Sequence, residues 1–328
     1  MEEKPLILMT YQLPEEWLGD TLDDYQLILA EGDQKGITAN LRDHLSHAAG
    51  IFCLLDDPIT ADTLQDAPQL KVVSNMAVGV DNIDLETCTR LGIPVGHTPG
   101  VLTDGTADLT MALLLSVARQ IPKASEDARQ GRWANWNPTG WLGADFKNAT
   151  VGIIGMGKIG FAVSQRLAGF GPRILFTSKH TKPEIAQALN AKQVDLEELL
   201  QKSDFICLHT ALTAETTGMI DKSAFKIMKD TAVLINAARG AVVDTDALVE
   251  ALTSGQIRAA GLDVTDPEPL PPEHPLFKLE NCLITPHIGS ATYQTRKSMA
   301  EIALQNLIAG IAEEPLPHCA NPEVYSET

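Results

Sequence analysis

The sequence predicts an α/β fold with two doubly wound parallel sheets, one domain being inserted in the chain of the other. Short apolar runs alternate with helical segments along nearly the whole chain. At residues 150–160 a β-branched run leads directly into a glycine pattern and a helix. The 328 residues exceed what one hydrophobic core usually supports. We therefore expect two domains of the same class.

The first hundred residues show this alternation without a phosphate-binding glycine loop. Helical segments are predicted at residues 39–48 and 85–91. Strands are predicted at residues 5–10, 26–30, 51–55, 71–76 and 93–97. This part of the chain therefore predicts a doubly wound parallel sheet of its own.

The remaining two thirds predict a second sheet. A long apolar helix over residues 106–119 leads into it, and a last helix from 291 to about 311 is expected to return to the first domain. Its later strands are predicted at residues 174–177, 205–209, 232–236, 259–264 and 282–285. The expected domains are residues 1–102 with 291–328, and residues 103–290.

The glycine pattern at Gly155, Gly157 and Gly160 is typical of a dinucleotide-binding unit. Gly155 permits a tight turn, Gly157 lets the backbone approach a pyrophosphate, and Gly160 allows close packing of helix on strand. The N-terminus of the next helix presents N–H groups and a positive dipole end to phosphate. The helix over 161–170 and the strand that follows complete a βαβ unit.

The end of that second strand predicts which dinucleotide is bound. NAD-binding units place an Asp or Glu there, which accepts from the ribose hydroxyl, whereas a cation accommodates the 2′-phosphate of NADP. The chain instead has Ser178, followed by Lys179, His180, Thr181 and Lys182. NADP(H) is therefore favoured over NAD(H). The alternative is a solvated basic loop that binds nothing.

Three residues whose side chains could assist the reduction of a ketone follow successive strands of the second sheet, at the end where doubly wound folds bind ligands. They are Arg239, Glu268 and His287. Reduction of a ketone by hydride needs a proton donor, a cation that polarises the carbonyl and holds a carboxylate, and an anion that keeps the donor charged. Taken singly, Arg239 is equally well explained as a helix cap or a surface ion pair, Glu268 as a solvated loop residue, and His287 as a core histidine.

Composition excludes several classes. A net charge of −18 disfavours nucleic acid as a partner. No apolar run is long enough to span a membrane, and the N-terminus lacks a secretory pattern, so a cytoplasmic enzyme is expected. Five scattered cysteines without a CxxC pair are expected as reduced thiols. The histidines form no ligand cluster, and no metal site is expected.

The chain resembles the D-isomer-specific 2-hydroxyacid dehydrogenases, most closely the branch that reduces glyoxylate and hydroxypyruvate. Besides the glycine loop, the resemblance rests on residues 75–82, 98–103, 236–244, 260–264, 267–269 and 286–292. It implies a Rossmann dinucleotide-binding domain inserted in a flavodoxin-like substrate domain. The implied activity is NADPH-dependent reduction of glyoxylate to glycolate and of hydroxypyruvate to D-glycerate. Where NAD-using members have an acid, this chain has Ser178, which places it with the NADP(H)-preferring branch.

The resemblance also implies roles for single residues. His287 is the general acid, Glu268 orients it and favours its charged form, and Arg239 binds the substrate carboxylate and carbonyl. The remaining residues implied in substrate binding, in a cleft between the domains, are Val78, Gly79, Asp263 and Ser290. Those implied in binding the dinucleotide, besides the three glycines and residues 178–182, are Lys158, Ile159, Ala211, Ala237, Asp263 and Gly289.

Several alternatives stay open. The family is dimeric, and residues 123–146 resemble its dimerisation arm, in which Trp136 or Trp141 packs on a partner subunit or within its own chain. Leu54 and Leu55 form either an apolar wall of the substrate site or part of the core. The chain is alternatively a dehydrogenase for another D-2-hydroxy acid, or a dinucleotide-sensing corepressor. An assay with glyoxylate or hydroxypyruvate and NADPH separates these functions.

Overall fold

The computed structural model describes residues 4–32 and 35–326. The chain forms two compact units, which we call unit 1 (Met1–Leu102 with Thr292–Thr328) and unit 2 (Thr103–Ala291). The strands are β1 (Leu6–Met9), β2 (Gln26–Leu29), β3 (Ala48–Cys53), β4 (Val72–Asn75), β5 (Val95–Gly96), β6 (Thr150–Ile154), β7 (Arg173–Thr177), β8 (Lys192–Gln193), β9 (Phe205–Leu208), β10 (Val233–Asn236), β11 (Ala259–Leu262) and β12 (Cys282–Ile284).

Helices alternate with these strands, and short 3-10 turns add to them. The helices are α1 (Glu15–Leu18), α2 (Ala39–Arg42), α3 (Ala61–Gln65), α4 (Leu85–Arg90), α5 (Thr103–Ala118), α6 (Ile121–Arg129), α7 (Lys158–Ala168), α8 (Pro183–Leu189), α9 (Leu196–Lys202), α10 (Lys222–Ile227), α11 (Thr245–Ser254) and α12 (Tyr293–Ile311). Within the described residues, no helix combines the length and the apolarity needed to cross a membrane.

Unit 1 contains a five-stranded parallel sheet in the order β2-β1-β3-β4-β5. Its central strands are buried because apolar side chains from both faces pack under helices. On one face α12 lies directly on β4, and a Cβ atom at Gly310 would approach the Val72 Cβ atom to 2.4 Å. Only glycine permits this approach. The order is that of flavodoxin-like sheets.

Unit 2 contains a seven-stranded parallel sheet in the order β12-β11-β10-β9-β6-β7-β8. The strand order reverses at β6, which lies between β7 and β9. In a doubly wound sheet this reversal opens a crevice at the carboxyl ends of the strands. The α/β class and the two parallel sheets predicted from sequence are confirmed.

Some predicted element bounds were wrong. The helix predicted at 39–48 ends at Arg42, and a 3-10 turn at Leu45–His47 leads into β3. The strand predicted at 51–55 is β3, which begins at Ala48 and ends before Leu54. Pairing of β3 with β1 and β4 in the buried sheet outweighs the local helical pattern of this segment.

Candidate active site

Three residues predicted from the sequence lie at the carboxyl edge of the unit 2 sheet, each after one of three neighbouring strands. Arg239 follows β10, Glu268 follows β11, and His287 follows β12, and these strands are adjacent in the sheet. Because all strands are parallel, their carboxyl ends lie at one edge. Three positions spread over 49 residues of sequence therefore lie in one region of unit 2.

His287 and Glu268 are in direct contact. The Nδ1 atom of His287 lies 2.6 Å from the Oε1 atom of Glu268. The backbone of His287 has φ +52°, a left-handed conformation that is uncommon outside glycine. Its N–H donates to the main-chain carbonyl of Asp263 at 2.9 Å. With Nδ1 engaged, Nε2 is the ring nitrogen left for chemistry.

The charge state of Glu268 is set by its neighbours. Burial by itself raises the pKa of Glu268, but the hydrogen bond and charge of His287, the N–H of Thr265 and the charge of Arg239 together leave its pKa below the usual value. The Thr265 N–H donates to Oε2 at 3.1 Å. Glu268 is therefore ionised near neutral pH and stabilises a positive charge on His287.

Arg239 lies in a turn whose backbone is held tightly. The Asn236 side chain donates to the Arg239 carbonyl at 2.8 Å and accepts from the Ala238 N–H at 3.0 Å. A Cβ atom at Gly240 would lie 1.9 Å from the Thr265 carbonyl oxygen, so this turn packs directly on the loop that carries Glu268. The close packing explains why glycine follows the arginine.

Asp263 supports the loop that carries His287, a role that the sequence did not indicate. Its Oδ1 atom accepts from the Thr285 hydroxyl at 2.7 Å and from the Ile288 N–H at 2.8 Å, and its Oδ2 atom accepts from the Gly289 N–H at 2.8 Å. Burial raises the pKa of Asp263, against these hydrogen bonds. Contact of Asp263 with a ligand stays a prediction, as do the roles of Gly289 and the adjacent Ser290.

The glycine loop fits a dinucleotide. Gly155 has φ +96°, and a Cβ atom there would lie 2.6 Å from the backbone of His209 across the strand-order reversal. A Cβ atom at Gly160 would lie 2.2 Å from the Gly155 carbonyl oxygen, whereas one at Gly157 would meet no atom within 4 Å. Gly157 therefore faces open space at the N-terminus of α7, where Lys158 and Ile159 contribute N–H groups without helical partners.

His209 follows β9 at this edge, and both of its ring nitrogens are buried. Within the described residues, neither ring nitrogen of His209 makes a hydrogen bond. Burial lowers the pKa of His209 to about 4, so the ring is neutral near pH 7. An orphaned polar group at the strand-order reversal is consistent with a bound ligand that supplies its partner. Ala211 and Ala237 follow β9 and β10 at the same edge.

The loop after β7 is more structured than the sequence suggested. The Nζ atom of Lys179 lies 3.6 Å from Glu215, and both side chains are mostly exposed. Gln193 of β8 donates to the carbonyls of Ser178 and His180, and it accepts from the N–H of Lys182. Sequence spacing identified the cations of this loop but neither Glu215 nor Gln193.

In unit 1, Val78 and Gly79 lie in the turn after β4. The Val78 carbonyl accepts from His97 Nδ1 and the Gly79 carbonyl accepts from Asn75, both at 3.0 Å. Within the described residues, the N–H groups of Val78 and Gly79 donate to no protein acceptor. Leu54 packs against the core of unit 1, which favours its core role, while Leu55 lies in the turn after β3.

The segment 123–146 holds its two candidate tryptophans differently. Trp141 is half-buried, and its Nε1 atom donates to Asp127 of its own chain at 2.7 Å. Trp136 is 82% exposed. Within the described residues, no group of three or more His, Cys, Asp or Glu side chains is arranged to hold a metal ion.

Comparison with known proteins gives consistent results. A family model described as "D-isomer specific 2-hydroxyacid dehydrogenase, NAD binding domain" matches residues 111–289. The chain is 44% identical to a glyoxylate reductase of Thermococcus litoralis over 329 residues, 99% of each chain. It is 48% identical to human glyoxylate reductase/hydroxypyruvate reductase over 272 residues, 82% of this chain and 83% of the human one.

A solved structure agrees in fold over nearly the full length. It is the NADPH-dependent glyoxylate/hydroxypyruvate reductase of Sinorhizobium meliloti, in complex with NADP and malonate. The TM-score is 0.86 at 30% sequence identity, and the match covers 98% of each chain.

Proposed function

The chain belongs to the D-isomer-specific 2-hydroxyacid dehydrogenase family of oxidoreductases, and on that premise we propose that it reduces glyoxylate to glycolate and hydroxypyruvate to D-glycerate with NADPH. The family membership leaves the keto acid and the coenzyme open. Both parts of the proposal draw on the described residues of unit 2 and on the activities of the similar proteins.

The contact between His287 and Glu268 is the observation that carries the proposal. Carbonyl reduction requires a proton for the oxygen as hydride reaches the carbon. An imidazolium whose Nδ1–H is bonded to a carboxylate is held in one orientation, and its Nε2–H is left to donate. The depressed pKa of Glu268 keeps that carboxylate charged. After proton transfer the ring is neutral, and solvent returns the proton.

Arg239 is the proposed contact for the substrate carboxylate and carbonyl. A planar guanidinium donates to two oxygens at once, which orients a 2-keto acid and polarises its carbonyl. The main-chain N–H groups of Val78 and Gly79 are a second proposed contact for the carboxylate. Their carbonyls are bonded within unit 1, so the turn is held while its N–H groups remain available to a ligand.

The dinucleotide is proposed to bind at the carboxyl edge of unit 2. The loop from Gly155 to Gly160 and the N-terminus of α7 would hold the pyrophosphate. Residues 178–182 would hold the 2′-phosphate through Lys179 and Lys182. When bound, the reduced nicotinamide supplies the hydride. The cations and the absence of an acid at Ser178 support NADPH over NADH.

A homodimer through the segment 123–146 is part of the proposal. Trp133, Trp136 and Leu142 are 66%, 82% and 62% exposed. Three large apolar side chains exposed in one short segment favour an interface. Light scattering on the eluted protein measures the mass, and a mass near 35.4 kDa, that of one chain, would contradict the dimer.

Steady-state kinetics test the proposed reaction. Glyoxylate, hydroxypyruvate and pyruvate are each assayed with NADPH and with NADH, and kcat/KM is compared. We expect the largest values for glyoxylate or hydroxypyruvate with NADPH. A larger value for pyruvate would reassign the substrate to another D-2-hydroxy acid, and binding of NADPH without any turnover would favour a sensing protein.

A further inference from the structure

We infer that Gln193 is a positioning residue of the coenzyme site, which holds residues 178–182 in the conformation that receives a ribose 2′-phosphate. The inference rests on the proposed coenzyme choice and goes beyond it. It assigns a role to a neutral side chain that carries no phosphate-binding group of its own.

The position of Gln193 in the sheet places it beside residues 178–182. Gln193 is the second residue of β8, the edge strand, and it pairs with Phe176 of β7. The segment 178–182 connects β7 to α8 and therefore passes beside this edge. Gln193 is only half-buried, so it is not held there as a core residue.

One amide group makes three hydrogen bonds to this segment. The Nε2 atom of Gln193 donates to the carbonyls of Ser178 at 3.3 Å and His180 at 3.1 Å. Its Oε1 atom accepts from the N–H of Lys182 at 3.0 Å. Both donors and the acceptor of the amide are therefore used on alternate residues of one loop.

Little else holds this backbone. In the described part of the chain, the other main-chain hydrogen bond made by residues 178–182 is the one that the Lys182 carbonyl accepts from Ala186. The side chains of Lys179, His180 and Thr181 are exposed. The Nζ atom of Lys179 lies 3.6 Å from Glu215, whose side chain is equally exposed. Without Gln193 the backbone between β7 and α8 would sample many conformations.

If this backbone is already ordered before binding, the affinity for a ligand that carries a ribose 2′-phosphate is increased. Two lysine side chains gain most from a phosphate when their Cα atoms are already placed, because less conformational entropy is lost on binding. A ligand without the 2′-phosphate makes no contact that depends on Lys179 and Lys182. Gln193 therefore acts on the discrimination between the two ligands and has little effect on the adenosine they share.

Calorimetric titration with 2′,5′-ADP and with 5′-AMP tests this role without measuring turnover. Gln193→Leu removes all three hydrogen bonds at similar volume. The control is Gln201→Leu, because Gln201 is an exposed glutamine of α9 whose side chain donates to Glu197 of its own helix. We expect Gln193→Leu to raise the Kd for 2′,5′-ADP by about fivefold or more and to change the Kd for 5′-AMP by less than about twofold. Gln201→Leu should change neither Kd.

The outcomes separate this inference from the coenzyme proposal. If the wild type binds 2′,5′-ADP no more tightly than 5′-AMP, both are wrong. If the wild type discriminates and Gln193→Leu discriminates equally, Gln193 has no positioning role and the coenzyme proposal stands. An equal loss for both ligands would show a purely structural role. Gln193→Met, which keeps an unbranched side chain, replaces the leucine variant if thermal unfolding shows that the latter is not folded.

Discussion

Asp263 binds the loop that presents His287 from both sides of that histidine. The main-chain carbonyl of Asp263 accepts from the His287 N–H at 2.9 Å, and its carboxylate accepts from the Thr285 hydroxyl and from the N–H groups of Ile288 and Gly289. The left-handed backbone of His287 is thus held by one buried residue. Its carboxylate is a structural support for the proposed general acid.

Replacement of Asp263 by Asn tests that support. The amide Nδ2 would face the N–H of Gly289 or Ile288, which leaves a buried donor without an acceptor and costs about 1–3 kcal/mol. We expect a lower melting temperature and a reduced kcat, measured at saturating NADPH. Asp246→Asn, on an exposed position of α11, is the control. An unchanged kcat in Asp263→Asn would contradict the positioning role.

Removal of the general acid should affect turnover much more than binding. We expect His287→Ala to lower kcat by roughly 10²–10⁴, the usual contribution of acid–base catalysis, while the Kd for NADPH stays close to that of the wild type. Stopped-flow reduction of glyoxylate separates the hydride step from product release. His44→Ala, at an exposed position of unit 1, serves as the control. Near-normal turnover in His287→Ala would exclude this residue as the acid.

The partnership of His287 and Glu268 predicts a pH dependence. The pKa of Glu268 lies below its usual value, so its carboxylate is ionised above the usual range of a glutamate and is lost only as the pH falls through that depressed pKa. In Glu268→Gln the neutral amide no longer favours the imidazolium. The acid-side fall in kcat/KM that follows protonation of Glu268 should therefore be absent from this variant, and kcat should be lower across the pH range. A profile identical to that of the wild type would show that Glu268 does not act through His287.

The proposed role of Arg239 requires the planar shape of its guanidinium group as well as its charge. Arg239→Lys keeps the charge but cannot donate to a carboxylate and a carbonyl in the same geometry. We expect KM for glyoxylate to rise and kcat to fall together. Arg42→Lys, at an exposed position of α2, should change neither. A rise in KM alone would make Arg239 a binding residue and require another group to polarise the carbonyl.

Coenzyme choice should respond to the charges of residues 178–182. Ser178→Asp with Lys179→Ala introduces a carboxylate that repels the 2′-phosphate and can accept from the ribose hydroxyl of NAD. We expect the ratio of kcat/KM for NADPH over NADH to fall about tenfold, equivalent to about 1.4 kcal/mol, with little change in KM for glyoxylate. Lys226→Ala is the matched control for loss of an exposed lysine. An unchanged ratio would show that Lys179 is only a solvated cation.

Local patterns were sufficient for the fold class and for the chemical types in the site. The spacing of apolar residues distinguishes a helix from a strand. The glycine pattern of the dinucleotide-binding turn is contained in six residues, from Gly155 to Gly160. Parallel strands end at one edge, so Arg239, Glu268 and His287 could be placed together once their strands were predicted. Such inferences need only near neighbours along the chain and a topology with few alternatives.

Tertiary structure alone decided which side chains support these residues. The Asp263 carboxylate meets donors 22 to 26 residues away, and Gln193 meets carbonyls 13 and 15 residues away. An aspartate after a buried strand, or a glutamine on an edge strand, has no periodicity that indicates its partner. The same holds for Trp141, which bonds Asp127 of its own chain. A hydrogen bond requires donor and acceptor within about 3 Å, and that distance is set by how the chain packs, not by its local pattern.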